Sequence, residues 1–214
     1  GSAGMAGAAS LVSAAAMRAG AGMVHLSWRG DALAVTPPTE VVGRALPAED
    51  WARDVSSDVQ RFAALVIGPG LGRGDDIGRE VRGVLRACDV PVVIDGDGIG
   101  ASVDPHAGHS VLTARTAATI LTPHDGEFAA LGGDVANTDR IAATRELAAR
   151  TNCTILRKGP TTVIADPDGA VYLVATGDER LATAGTGDVL AGIIGAFLAR
   201  DLSAHEAAAA GSFV

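Results

Sequence analysis

From Val189 onward the apolar residues fall at 189, 190, 193, 194, 197 and 198, a stripe close to the 3.6-residue period that predicts a helix. Short apolar runs predict buried strands over 62–67, 91–94 and 118–121, and a shorter strand over 23–27. Periodicity predicts helices over 77–87 and 140–150, a further helix over 49–61, and an Ala-rich helix that follows the small-residue loop at 1–9 and ends near Gly20 or Gly22. Residues 154–165 read as strand, turn, strand, and Asp166-Pro167-Asp168-Gly169 turns the chain into a strand over 170–174. Residues 29–60 are weakly patterned and broken by Pro37-Pro38 and Pro47. Helix and strand alternate, with glycines gathered at strand ends. That order predicts an α/β protein, an open and mainly parallel sheet covered by helices on both faces. No linker divides it, so a single domain over 1–214 is expected. The chain opens in a Gly loop and closes inside an apparent helix, and so reads as a segment truncated at both ends.

Composition narrows the class. With 214 residues the chain is long enough to bury a substantial core. Its 28 glycines, 48% hydrophobic content and 3% aromatic content suit a compact fold rich in small residues. A net charge of −8 argues against a nucleic-acid or anionic-membrane surface. Cys88 and Cys153 make neither a disulfide framework nor a metal spacing, which suits a reducing cytoplasm. No apolar run reaches the roughly 18 residues of a membrane span. Partners are therefore expected among small molecules.

The chemistry begins where the 189–198 stripe starts. Gly185 and Gly187 leave the backbone bare ahead of that helix, so its free N–H groups can converge on an anion. Asp188 sits beside them, and its carboxylate would repel a phosphate that it faced. Facing a neutral hydroxyl instead, it completes a phosphoryl-transfer site, with an anion hole at Gly185, Thr186 and Gly187 and a base for the attacking alcohol. The plainer reading is a helix capped by Thr186 or Asp188 after a Gly turn.

Other strand ends carry their own candidates. Gly68-Pro69-Gly70-Leu71-Gly72-Arg73-Gly74 is no dinucleotide fingerprint, since Arg73 stands where the third glycine belongs. It is either a turn that lets a ligand approach the backbone or an ordinary tight turn. Asp95 and Asp97 end a strand on the edge where ligands bind, and either hold a metal through water or cap the next helix. In Thr122-Pro123-His124-Asp125, Thr122 suits the N-cap, Pro123 the first helical position and Asp125 the reciprocal cap. No capping rule then requires His124, which is either functional or structural; Glu127 shares its helix face. Lys158 is the sole lysine. In the turn Lys158-Gly159-Pro160-Thr161-Thr162 it hints at a phosphate or nucleotide role, or is a survivor of Arg-biased composition.

Taken in order, several motifs resemble the ribokinase-like superfamily and, within it, the ADP-dependent NAD(P)H-hydrate dehydratases. They are Gly-Ser-x-x-x-x-Gly-Ala at 1–8, Gly-Ala-Gly-Met-Val at 20–24, Gly-Pro-Gly-Leu-Gly at 68–72, Thr-Pro-His-x-x-Glu-Phe at 122–128, Lys-Gly-Pro-Thr-Thr-Val-Ile at 158–164 and Leu-Ala-Thr-Ala-Gly-Thr-Gly-Asp-Val-Leu-Ala-Gly at 181–192. The resemblance implies a three-layer α/β/α fold and a lyase that restores NADH or NADPH from their hydrates. ADP would phosphorylate the ring hydroxyl, and phosphate would then be eliminated. Asp188 becomes the catalytic base. Lys158, Gly159, Pro160, Thr161, Thr162 and Gly187 would hold ADP or AMP, while Ala8, Gly70, Gly72, His124 and Asp188 would line the hydrate. Mg²⁺ would bridge the phosphates, with no protein ligand assigned. A homo-oligomer, specifically a tetramer, and a fused or separate epimerase domain also follow from the resemblance. Met5 stands where an aromatic is common, Asp178-Glu179 replaces Asn-Pro, and Gly96 and Gly98 replace alanines. Two alternatives remain: a kinase of the same superfamily acting on a vitamin-precursor alcohol, and a non-catalytic nucleotide-binding module.

Overall fold

The computed structural model describes residues 1, 5–30 and 37–214. Part of the Gly-Ser motif at 1–8 and part of the weakly patterned 29–60 stretch lie outside those residues. Six strands form the central sheet and lie side by side in their chain order. They are β3 (Leu65–Ile67), β4 (Val92–Ile94), β5 (Thr119–Leu121), β6 (Thr154–Arg157), β7 (Thr162–Ala165) and β8 (Val171–Val174). The first four run parallel, with Val66 opposite Val93, Ile94 opposite Leu121 and Leu121 opposite Ile155. The β6–β7 and β7–β8 pairs are antiparallel. The mainly parallel α/β sheet expected from the alternation is present.

Side chains along each strand alternate between two cores, as the two-residue period requires. Val92, Ile94, Leu121 and Ile155 join one core with residues of α2 (Trp51–Asp58), α3 (Asp75–Ala87), α4 (Asp97–Ser102), α5 (Ser110–Thr113), α6 (Asp125–Ala130) and α7 (Arg140–Thr151). Val93, Ile120, Leu156 and Ile164 join the other, under α8 (Thr186–Leu198) and α9 (Ala204–Phe213). Helix α1 (Ala6–Arg18) lies along α8, where a Cβ on Gly192 would come within 2.3 Å of the Val12 carbonyl. Three layers result. Inside the larger core, the buried Arg115 guanidinium donates to the carbonyls of Leu85, Cys88 and Val90 and to the Thr119 hydroxyl. It thereby ties the end of α3 to the start of β5.

Several boundaries move. The strand expected over 23–27 is β1 (His25–Arg29), because pairing with β2 (Val42–Leu46) begins at His25 opposite Val42. Strand β2 itself lies in the stretch without a clear pattern. Helix α8 starts at Thr186, three residues before its apolar stripe, with Gly185 at φ +96° as its N-cap. Thr122 and Asp125 do not cap α6. His124 does: its Nδ1 accepts the Glu127 N–H at 3.2 Å, and Glu127 Oε2 accepts the His124 N–H at 2.9 Å. A reciprocal box therefore explains His124 structurally, and Pro123 sits before the cap rather than inside the helix.

Candidate active site

Because β3 to β6 are parallel, their carboxyl ends share one edge of the sheet, where open α/β sheets bind ligands. The turn after β3 crosses the turn after β4 at van der Waals distance. A Cβ on Gly68, which has φ +124°, would lie 1.9 Å from the Asp95 carbonyl, and one on Gly98 would lie 2.7 Å from Gly68 Cα. The Gly72 N–H donates to Asp97 at 3.0 Å, and Arg73 pairs with the same carboxylate. Asp97 thus links two turns. No side chain caps α4, so the capping alternative for these two acids is not realised.

Asp95 is 3% exposed and takes two charged or polar donors on Oδ1. Lys158 Nζ lies 2.9 Å away and the Thr122 hydroxyl 2.6 Å away. Thr122, assigned to a helix cap from the sequence, instead supports a buried carboxylate one strand away. The Lys158 ammonium also lies 3.8 Å from Glu127 Oε2, the oxygen that closes the His124 box. His124, Glu127, Lys158 and Asp95 therefore form one connected group across β4, β5 and β6.

The start of α8 enters the same group. A Cβ on Gly187 would sit 3.3 Å from Lys158 Nζ and 3.8 Å from Asp95 Oδ2. No side chain caps α8, which removes the capping alternative for Thr186 and Asp188. The Thr186 hydroxyl donates backward, to the carbonyls of Leu181 and Thr183, and so locks the loop. The Thr186 N–H also turns back, to the Thr183 carbonyl at 3.4 Å, which leaves the N–H groups of Gly187 and Asp188 as the anion donors of the first turn, with the positive end of the helix dipole behind them. Asp188 is half-buried. Burial, and then the Asp95 carboxylate, push its pKa above the usual carboxylate value, while Lys158 pulls it down. A carboxylate so placed is a stronger proton acceptor than a solvated one.

The remaining candidates separate. Ala8 is brought to this edge, since a Cβ on Gly70 would approach it to 3.2 Å. Leu11 of α1 in turn lies within 2.7 Å of a Cβ placed on Gly185. Gly159 backs onto Arg140, while Pro160 and Thr161 are exposed and Thr162 opens β7. No described side-chain contact ties those last three to Asp188. Sequence reasoning passed over Thr122 as a partner of Asp95; the only signal was a hydroxyl at a strand end. Among the described residues, no group of three His, Cys, Asp or Glu is placed to hold a metal. Such an edge fits Mg²⁺ only as phosphates carry it, since that ion commonly takes one or two carboxylates and keeps its waters. Asp95 and Glu127 are the carboxylates beside Lys158. An apolar cavity of about 230 Å³ lies among Leu26, Trp28, Trp51 and Val66 and reaches Gly68 and Pro69 of the turn after β3, and neither Asp188 nor Lys158 lines it.

The chain is 43% identical over 204 residues to the bifunctional NAD(P)H-hydrate repair enzyme of Mycobacterium tuberculosis, covering 95% of this chain and 40% of that one. It thus spans about two fifths of that relative's length. It is 38% identical over 219 residues to the ADP-dependent (S)-NAD(P)H-hydrate dehydratase of Neisseria meningitidis, covering 100% of this chain and 72% of the relative. Among solved structures, it superposes with a TM-score of 0.82 and 31% identity on an ADP/ATP-dependent NAD(P)H-hydrate dehydratase from Bacillus subtilis, co-crystallised with ATP and Mg²⁺ and soaked with CoA. That match covers 100% of this chain and 77% of the other, and the shared architecture is ribokinase-like. A family model described as NAD(P)H-hydrate dehydratase matches residues 1–214, and with these identities it shows that the chain belongs to the NAD(P)H-hydrate dehydratase family.

Proposed function

We propose that this chain dehydrates the (S)-hydrates of NADH and NADPH in an ADP-dependent reaction. The observation that carries the reading is the half-buried Asp188 at the uncapped start of α8, with Lys158 and Asp95 packed against the neighbouring Gly187. Asp188 takes the proton of the ring hydroxyl as its oxygen attacks the β-phosphoryl group of ADP. The N–H groups of Gly185 and Gly187, joined by that of Thr186 as it leaves its long bond to the Thr183 carbonyl, receive the developing charge on the phosphoryl oxygens, and the Lys158 ammonium neutralises the nucleotide. AMP is released. The ring nitrogen's lone pair then expels phosphate with its C–O bond, and loss of the neighbouring ring proton restores the dihydropyridine. A ring hydroxyl is a poor leaving group, and phosphorylation cures that. Mg²⁺, when bound by the phosphates beside Asp95 and Glu127, supplies charge neutralisation.

Ala8, Gly70, Gly72 and His124 line the hydrate's side of the edge, and the turn from Lys158 to Thr162 receives the adenine nucleotide. Helices pack on both faces of one sheet, which supports a single catalytic domain over 1–214. A cytoplasmic setting accords with two free, buried cysteines, and no described helix is long and apolar enough to cross a membrane. A homotetramer, and an epimerase as fused or separate partner, complete the proposal; the second rests on the bifunctional name of the Mycobacterium relative.

The test is incubation of hydrated NADPH with the protein, ADP and Mg²⁺. Recovery of NADPH absorbance together with free phosphate and AMP is expected. A lasting phosphoester product would instead identify a kinase, and ADP binding without turnover a regulatory module.

A further inference from the structure

Arg140 opens α7, and its guanidinium reaches two other elements. Nη1 lies 3.0 Å from each oxygen of Asp125, the first residue of α6. Nη2 donates to the Lys158 carbonyl at 3.2 Å. The same nitrogen lies 2.7 Å from where a Cβ on Gly159 would stand, so the turn after β6 is seated directly on the guanidinium. Asp125 is itself fixed from below by the buried Arg157, whose Nε donates to it at 2.8 Å while its guanidinium stacks 4.1 Å above the Phe128 ring. Burial would raise the Asp125 pKa, yet hydrogen bonds from Arg157 and Arg140 outweigh it and hold the carboxyl below its usual value. On the other side, the Lys158 N–H donates to the Pro123 carbonyl at 2.8 Å. The backbone of Lys158 is therefore gripped at both its N–H and its C=O, and its ammonium ends on Asp95.

A partly exposed Arg–Asp pair alone contributes little to stability. What distinguishes this one is its third contact, since the fork gives one nitrogen to a carboxylate and the other to a carbonyl, a spacing that a single ammonium nitrogen does not reproduce. We propose that Arg140 is a positioning residue for nucleotide binding: seated on Asp125, it sets the Lys158–Gly159 turn and hence the place of the Lys158 ammonium at the mouth of α8. This rests on the reading of that turn as the ADP site. Arg140 acts through the turn and touches no reacting atom.

Arg150 provides an internal control. It lies on the same helix and also joins a carboxylate, Glu146, to a loop carbonyl, Gly132 O, but far along α7 from the lysine turn. The experiment measures ADP affinity by calorimetry, and KM and kcat with hydrated NADPH, for wild type, Arg140→Met, Arg140→Lys and Arg150→Met. Arg140→Met is expected to weaken ADP about tenfold and to raise the KM for ADP with it, while the KM for the hydrate stays within about twofold of wild type. Arg140→Lys keeps the charge against Asp125, and with it the melting temperature, yet still weakens ADP several-fold. Arg150→Met leaves ADP affinity unchanged. Wild-type ADP affinity in both Arg140 variants, or equal weakening in Arg150→Met, overturns the proposal. A wild-type chain that binds no ADP overturns the functional reading as well, and the two failures are distinct.

Discussion

Lys158 and Asp95 meet across 63 residues of chain, with Nζ 2.9 Å from Oδ1 on a carboxylate that is 3% exposed. The pair joins the ends of β4 and β6, and Gly187 at the start of α8 closes over it. Its two charges act on Asp188 in opposite directions, the carboxylate raising its pKa and the ammonium lowering it. Replacing Asp95 by Asn removes the repulsion and leaves Lys158 to attract Asp188. Both changes favour the ionised base. The acid limb of kcat/KM, which reports groups of the free enzyme, is therefore expected above the ordinary carboxylate value of about 3.9 in wild type and at lower pH in Asp95→Asn. A limb that moves upward contradicts the arrangement.

Asp188→Asn removes the proposed base and leaves the helix start in place. Turnover is expected to fall by about a thousandfold or more, with ADP affinity within a few-fold of wild type. Near-normal turnover would refute the assignment. The same variant bears on stability. The folded state raises the Asp188 pKa, so it binds this proton more tightly than the unfolded chain does. Stability from this group is full at low pH and is lost as pH rises through the folded pKa. Asp188→Asn should therefore melt above wild type at neutral pH and match it in acid, as scanning calorimetry at two pH values will show.

Lys158→Met keeps the apolar stem and deletes the charge. Loss of a charged contact to phosphate costs about 2–3 kcal/mol, so calorimetry should show ADP affinity lower by roughly thirty- to 150-fold. An unchanged affinity would place the nucleotide elsewhere.

Gly68→Ala places a methyl group 1.9 Å from the Asp95 carbonyl at a backbone angle that side chains rarely adopt. Chemical denaturation is expected to show a loss of about 3 kcal/mol. Activity should fall with it, because the two crossing turns carry both Gly70 and Asp95. Gly100→Ala, where a Cβ meets nothing within 4 Å, is the matched control.

Arg115→Met strips donors from the Leu85, Cys88 and Val90 carbonyls inside the larger core. Buried acceptors left unpaired cost about 1–3 kcal/mol each, so a loss of at least about 3 kcal/mol is expected in urea titration. A loss below about 1 kcal/mol would show that water replaces the guanidinium.

The sheet was legible because its strands are short apolar runs at regular intervals, as at Val92–Ile94 and Thr119–Leu121, each closed by Gly or Pro. Strand β2 was not, since Val42-Gly43-Arg44-Ala45-Leu46 owes its shape to pairing with β1 rather than to its own pattern. At the candidate site, the Gly-rich loop before α8 and the lone lysine stood out by composition. The role of Thr122 did not, because local spacing offered it a helix cap and only the tertiary fold brings Asp95 within 2.6 Å. His124 was misread for the opposite reason. Capping lore favours hydroxyls and carboxylates at that position, and here an imidazole nitrogen does the same work.

That imidazole has a direction. A ring that accepts a hydrogen bond on Nδ1 carries its proton on Nε2 when neutral. In His124 that nitrogen lies 3.5 Å from Glu127 Oε1, so both ring nitrogens face the residue that closes the box and the imidazole is held at the start of α6 from two sides.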